Sequence, residues 1–219
     1  MGHVPHLHLP APWHGPAIPL ADEQGHHLRR VLRLVEGEDV SYTDGAGIVG
    51  SGRLVAGEIE RGEEARIARP GNLNLVVAPP SSRDRLRFLV EKAAELGVAR
   101  LLWCRTRRTD GRPPPPEKAV AWAAGALEQS RGAWLLELGT TTLDELDPHD
   151  LVVADLTGSD SPPAHRQTLL VGPEGGLDPD EIPPGAATFS LGTTILRVET
   201  AALVGSHALI RRPGAGPHH

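Results

Sequence analysis

The segment TLLVGPEGGLDPDE, residues 168–181, runs four residues of a buried-type strand into Gly172, Pro173, Glu174, Gly175 and Gly176. Glycines at this density leave main-chain N–H and C=O groups open to a close ligand, and the proline stiffens the loop that presents them. The spacing is not that of a dinucleotide fingerprint, because G-x-G-x-x-G is missing, nor that of a P-loop, because no Gly-Lys-Ser/Thr follows. The loop carries no basic residue and leads into acidic ones. A phosphate-rich ligand is disfavoured, and a neutral or cationic one is favoured. A second segment, LGTTILRVETAAL at 191–203, places Arg197 and Glu199 near the start of a helix. This segment lies about twenty residues from the first, at the end of a neighbouring strand, and the two together raise the odds of a site. The competing reading is an exposed helix-start pair of little energetic weight.

These loops need strands behind them. LNLVVAP, VARLLWC, LVVADL, TLLVG and ATFSLG read as strands. They are separated by helical patterns and mostly lack strict alternation, which indicates a parallel sheet covered on both faces. Ligands of such sheets bind beyond the carboxyl ends of the strands. SSRDRLRFLVEKAAELG reads as a helix with Ser81 and Asp84 at capping-box spacing, Leu86, Leu89, Val90 and Ala93 inward, and Gly97 at its end. EKAVAWAAGALEQS reads as a helix with Val120, Ala123, Ala126 and Leu127 inward. ILRVETAALVGSHALIRR reads as the last helix, closed by Arg211 and Arg212 at the negative end of its dipole. The first seventy residues read as short strands and turns, with Asp44-Gly45 as a hairpin signal and Asp22 as the cap of a short helix through EQGHHLRRVLR. RPGN at 69–72 is turn chemistry and the expected boundary. The expected organisation is a small β-rich domain over 1–70, an α/β domain over 71–212 and a disordered tail over 213–219.

The 219 residues suit one large domain or two small ones, and 39% apolar content supports an ordinary core. The single cysteine, Cys104, rules out an internal disulfide and fits a reducing, cytoplasmic setting. No apolar run reaches membrane-spanning length, and MGHVPHLHLP lacks the pattern of a secretory signal. The net charge of −6 argues against nucleic acid, but its distribution is polar. Residues 83–112 hold nine Lys/Arg against four Asp/Glu, whereas 137–181 hold eleven Asp/Glu against one Arg. Either a basic face meets RNA or both runs are solvated helix surfaces. Eleven histidines, among them His3, His6, His8, His218 and His219, have neither a cysteine partner nor carboxylates at zinc-site spacing, so no metal is expected.

Taken together, LLVGPEGGLDPDE and LGTTILRVETAAL resemble the signature of the bacterial 16S ribosomal RNA uracil-N3 methyltransferases of the SPOUT superfamily. HHLRRVLRLVEGEDVSYTDGAG, EKAAELGV and EQS extend the resemblance over most of the chain, from about His26 to Ala202. It implies a SPOUT-type α/β fold: a mostly parallel sheet with a deep trefoil knot and helices on both faces, behind an N-terminal PUA-like RNA-binding domain. It implies S-adenosylmethionine as cofactor, held by Asp155 and Leu156, by Gly172, Pro173, Gly175 and Gly176, and by Leu191, Gly192, Ile195 and Leu196. It also implies 16S ribosomal RNA in the small subunit as substrate, no membrane, and a homodimer, for which Ala201, Ala202, Val204 and Gly205 offer small helix-packing residues. Three departures stand out. Arg107-Arg108-Thr109 replaces the family's Glu-Arg-Ser or Glu-Arg-Cys, Ser82 replaces a lysine, and VPHLHLP replaces an N-terminal Arg followed by aromatics.

Methyl transfer to uracil N3 needs alignment of the reacting atoms and a group that handles the N3 proton or the resulting charge. Arg197 is the first candidate, Arg108 the second, and Glu174 a base or a loop fastener. The target base must leave its stack. Arg29, Arg30, Arg33, Arg83, Arg85 and Arg105 are candidates for holding RNA phosphates. The alternatives are the same fold acting on another RNA or base, and a non-catalytic RNA-binding ribosome-assembly factor. A dinucleotide oxidoreductase is disfavoured by the missing fingerprint.

Overall fold

A computed structural model describes residues 4–20, 25 and 35–212. The helix expected after Asp22, with Arg29, Arg30 and Arg33, and the tail 213–219 lie outside the described residues. The chain divides into two compact units. One comprises the described residues up to Arg69 together with Leu127–Leu135, and the other comprises Pro70–Ala126 and the residues from Leu136 onward.

The first unit is a five-stranded sheet of β1 (His6–His8), β2 (Ala17–Pro19), β3 (Asp39–Thr43), β4 (Ile48–Val55) and β5 (Glu58–Arg66), in the order β1-β3-β4-β5-β2. Only β1 and β3 run parallel. The hairpin expected at Asp44-Gly45 joins β3 to β4, and the Asp44 carboxylate accepts the N–H groups of Ala46 and Ile48 at 2.7 and 2.9 Å. Alternating residues Val40, Tyr42, Leu54 and Ile59 meet Leu7, Leu9 and Ile18 in one core. Trp13 meets the Tyr42 ring edge-on at 5.2 Å. Burial, with the Glu64 carboxylate accepting its hydroxyl proton at 2.7 Å, pushes the Tyr42 phenol up to about 12.

The histidines of β1 are structural. His6 Nε2–H donates to the Gly132 carbonyl at 3.1 Å while Nδ1 faces the Ser41 hydroxyl at 2.9 Å. Burial holds both His6 and His8 below the ordinary imidazole value. A depressed folded-state pKa means that the unfolded chain takes up protons first, so their contribution is full above about pH 6.5 and is lost as pH falls below it. Amide protection factors in β1 and β3, with exchange corrected for its intrinsic pH dependence, are therefore expected to fall between about pH 7 and pH 5. His6→Gln should flatten that dependence; an identical slope in the variant would assign the effect elsewhere.

The second unit holds a six-stranded, all-parallel sheet of β6 (Asn74–Val77), β7 (Arg100–Cys104), β8 (Glu137–Thr141), β9 (Leu151–Ser159), β10 (Thr168–Val171) and β11 (Ala187–Phe189), in the order β11-β9-β10-β6-β7-β8. Its helices are α1 (Arg83–Glu95), α2 (Pro116–Ser130, whose last turn clusters with the first unit) and α3 (Val198–Arg211). The central strands β6 and β10, with the first half of β9, are buried on both faces, as runs without alternation require. From β6 the chain steps outward to β7 and β8. It then returns to β9 on the far side, and β10 fills the gap against β6. That reversal is the switch point where ligands of open α/β sheets bind. α1 packs on α3, and α3 on β10 and β6. Among the described residues no helix is long and apolar enough to cross a membrane.

Several local expectations change. α1 starts at Arg83 after Ser82, and no side-chain capping bond forms, so the Ser81–Asp84 box is absent; its inward face is the expected Leu86, Leu89, Val90 and Ala93. In α2 the inward stripe starts at Ala119, and Val120 is exposed. α3 starts at Val198, because Arg197 is extended (φ −64°, ψ 153°). A side chain at Gly205 would stand 2.7 Å from Leu169 Cδ2, so Gly205 and the buried Ala202 serve α3's contact with its own sheet, while Val204 stays exposed.

Candidate active site

The middle of β9, the loop after β10 and the loop between β11 and α3 enclose a cavity of about 340 Å³, within the range typical of small-molecule sites. Asp155 and Leu156 line it from β9, Gly172, Pro173, Glu174, Gly175 and Gly176 from the loop after β10, and Leu191, Ile195 and Leu196 from the loop before α3. All of these residue positions were expected from the sequence. Gly192 lies in the same loop but outside the lining. Thr194, within the expected loop 191–196, also lines the cavity, and Val153, Ala154, Val171, Leu177, Val198 and Ala201 complete the wall without having been expected there. These six are ordinary strand, loop and helix-start residues, and no sequence signal separates them from core. Among the described residues the lining has carboxylates at Asp155 and Glu174 but no cationic side chain. Asp155 shapes its turn by accepting the Thr157 N–H at 2.7 Å and the Thr157 hydroxyl at 2.6 Å.

The charge asymmetry of the sequence closes on itself here. Arg107 makes a two-pronged ion pair with Asp180 at 2.6 Å on each arm. Arg108 donates to the Gly175 carbonyl at 2.6 Å and pairs with Asp178. Glu181, 8% exposed, accepts the N–H groups of Arg107 at 2.8 Å and Asp178 at 3.0 Å. Both Asp178 and Glu181 also form a capping box around a short 3-10 turn, Pro179–Glu181. The hydrogen bond from Arg107 holds the Asp180 carboxyl below its usual range. The acidic run after the glycines is thus tied by arginines from the basic run, leaving less of that run for a free basic face.

Arg85, in the first turn of α1, reaches Glu199 from Nε at 2.8 Å and from Nη2 at 2.6 Å, and reaches Glu174 from Nη2 at 2.6 Å. Burial pushes the Glu199 carboxyl up, but the Arg85 guanidinium and the backbone N–H at the helix start outweigh it and hold the carboxyl below its ordinary value. Arg197 is exposed between two lining residues, Leu196 and Val198, and its side chain makes no hydrogen bond or ion pair among the described residues. Arg83 and Arg105 are also exposed without a partner there, whereas Arg85 is half-buried and engaged on both arms.

A six-stranded parallel sheet with a cavity along its last three strands, in one chain with a small β-rich unit, defines a SPOUT-type α/β protein. Residues 68–210 match the family model for an RNA methyltransferase domain, and residues 20–60 that for an RNA methyltransferase PUA domain. Ribosomal RNA small subunit methyltransferase E of Mycobacterium tuberculosis is 30% identical, over 86% of this chain and 84% of that protein. The Rickettsia conorii protein of the same name is 26% identical, over 85% and 89%. The crystal structure of ribosomal RNA small subunit methyltransferase E from Neisseria gonorrhoeae bound to S-adenosyl methionine matches with a TM-score of 0.80 at 25% identity, covering 93% of this chain and 95% of that one. The chain belongs to the PUA-containing RNA methyltransferase family that includes ribosomal RNA small subunit methyltransferase E.

Proposed function

We propose that the protein transfers a methyl group from S-adenosylmethionine to uracil N3 in the 16S ribosomal RNA of the small subunit. The observation that carries this reading is the glycine-lined cavity at the switch point, with Arg197 at its edge. The donor set fits the cofactor. A Cβ at Gly176 would stand in open space, so the backbone there is bare. Among the described residues the lining offers apolar surface and two carboxylates but no cation, which suits a sulfonium and an adenine held by main-chain groups and would be poor for phosphates. Asp155 and Leu156, Gly172 to Gly176, and Leu191 to Leu196 would hold it. When bound, that group supplies an electrophilic methyl on sulfur.

The chain's own residues then have three tasks. The loop backbone fixes the direction of approach, which is where most of the acceleration of an in-line transfer arises. Arg197 faces the charge that spreads over the uracil O2–N3–O4 system as the N3 proton passes to solvent water. Arg108, the second candidate for substrate contact, is engaged with Gly175 and Asp178, which fits steadying the loop better. Glu174, ion-paired with Arg85, fits loop fastening better than proton removal. Arg83 and Arg105, with Arg29, Arg30 and Arg33 read from sequence alone, are assigned to RNA phosphates. Leu156 and Ile195, 53% and 84% exposed on the cavity rim, are apolar surface that a second copy in a homodimer would cover.

The family departure at Arg107 favours a second reading, the same chemistry on another base or RNA. Its pairing with Asp180 makes it a loop residue and reduces that weight. Incubation with S-adenosylmethionine and small subunits lacking the modification, followed by nucleoside mass spectrometry, is expected to yield 3-methyluridine. A different methylated nucleoside would select the second reading, and cofactor binding without any product would reject this substrate.

A further inference from the structure

We propose that Arg85 is a positioning residue that holds the cofactor cavity in shape by bridging the glycine-rich loop to the start of α3. The inference deepens the methyltransferase reading and rests on it. Two carboxylates from separate walls of the cavity meet one guanidinium: Glu174 from the loop and Glu199 from the first turn of α3. Without the cation they would repel and part the walls. The two arms differ in weight. Glu199 is 7% exposed, and a buried carboxylate is costly to leave unpaired. Glu174 is mostly exposed, so its pairing is worth less alone. Glu199 is therefore the anchor and Glu174 the part that is held.

The position of Arg85 supports this. It stands in the first turn of α1, where the helix dipole disfavours a cation. Its partner Glu199 stands in the first turn of α3, where the dipole favours an anion. The α1–α3 contact brings the two together, and Val198 and Ala201, on either side of Glu199, line the cavity. Arg108 separately grips the neighbouring Gly175 carbonyl. The loop is held at two adjacent residues, with Arg85 the more buried grip.

The test compares wild type, Arg85→Ala, Arg85→Lys and Glu174→Gln as full-length proteins. Three quantities are read: S-adenosylmethionine affinity by calorimetry, amide exchange over residues 174–177 without cofactor, and the salt dependence of RNA binding. Arg85→Ala is expected to bind the cofactor about tenfold more weakly, as loss of a charged hydrogen-bond pair implies, and to lose loop protection by a similar factor. Arg85→Lys should recover part of both, since an ammonium can bridge the two carboxylates but lacks the second donor with which Nε and Nη2 together hold Glu199. The slope of RNA affinity against salt should stay as in wild type. A slope shallower by about one, with cofactor affinity intact, would make Arg85 a phosphate ligand and overturn the proposal. Unchanged affinity and protection in Arg85→Ala would overturn it too. Should that variant fail to fold, Glu174→Gln removes the loop arm alone, and unchanged loop protection there has the same force. A wild type that binds no S-adenosylmethionine, with a loop that still loosens in Arg85→Ala, would strike the functional reading and leave the positioning role standing.

Discussion

Arg197→Ala is expected to lower methyl transfer by about 10²–10³-fold, the usual effect of removing a donor aimed at developing charge, while S-adenosylmethionine affinity stays as in wild type. Arg85, Arg107 and Arg108 are each tied to carboxylates or carbonyls near the cavity. Arg197 stands at its edge with its guanidinium uncommitted among the described residues. Its backbone holds the helix start through the Ala201 N–H at 2.9 Å, and its side chain makes no capping bond. Truncation to alanine therefore leaves the helix intact, and a loss of rate reports on chemistry. Because Leu196 and Val198 line the cavity and Arg197 does not, the deficit should fall on kcat and leave the cofactor KM in place. Arg197→Lys, keeping charge but losing the planar fork, should fall between the two. A wild-type turnover in Arg197→Ala would remove the residue from the mechanism.

The parts of this site that were legible in the sequence are those whose physics is local. Gly172 to Gly176 announce a bare loop wherever they occur, and the apolar run before them announces a strand. The stripe Leu86, Leu89, Val90 and Ala93 has helical period whatever it packs on. β8 escaped because ELGTT has no apolar run, which an edge strand half open to solvent does not need. The shift from Val120 to Ala119 arises in an alanine-rich helix, where several small residues could face inward and only the contact decides. The ion pairs escaped for a different reason. Arg107 and Asp180 are 73 residues apart, and Arg85 and Glu199 114. In sequence Arg85, Arg107 and Asp180 belong to charge runs that read as solvated surface or as an RNA-facing patch, and Glu199 reads as one member of an exposed helix-start pair. Only the fold brings the runs together, and their pairing explains why a net-acidic chain can keep so acidic a segment beside its cavity.

Gly111→Ala is expected to destabilise the protein by about 3 kcal/mol or more, at the upper end for overpacking, and to lower the melting temperature by about 6–12 °C for a chain of this size. A Cβ at Gly111 would lie 2.0 Å from the Pro79 carbonyl oxygen and 2.6 Å from the carbonyl carbon and oxygen of Pro80. These are backbone atoms, so no rotamer change relieves the overlap, and Gly111 is buried. Gly176 provides the contrast. Its φ is +74° and the space around it is open, so Gly176→Ala costs about 1–2 kcal/mol of left-handed backbone strain alone. The overlap at Gly111 can be relieved only by moving one chain segment away from the other. One of the two segments carries Arg107 and Arg108, which grip Gly175, Asp178 and Asp180, and the other leads into α1 with Arg85, so a shift of either disturbs a hold on the glycine-rich loop. Cofactor affinity measured well below the melting point should therefore fall along with stability, although Gly111 touches no part of the cavity. Stability lost with affinity retained would show that the loop relaxes without releasing its arginines. A melting temperature within about 2 °C of wild type would show that the two segments part without cost.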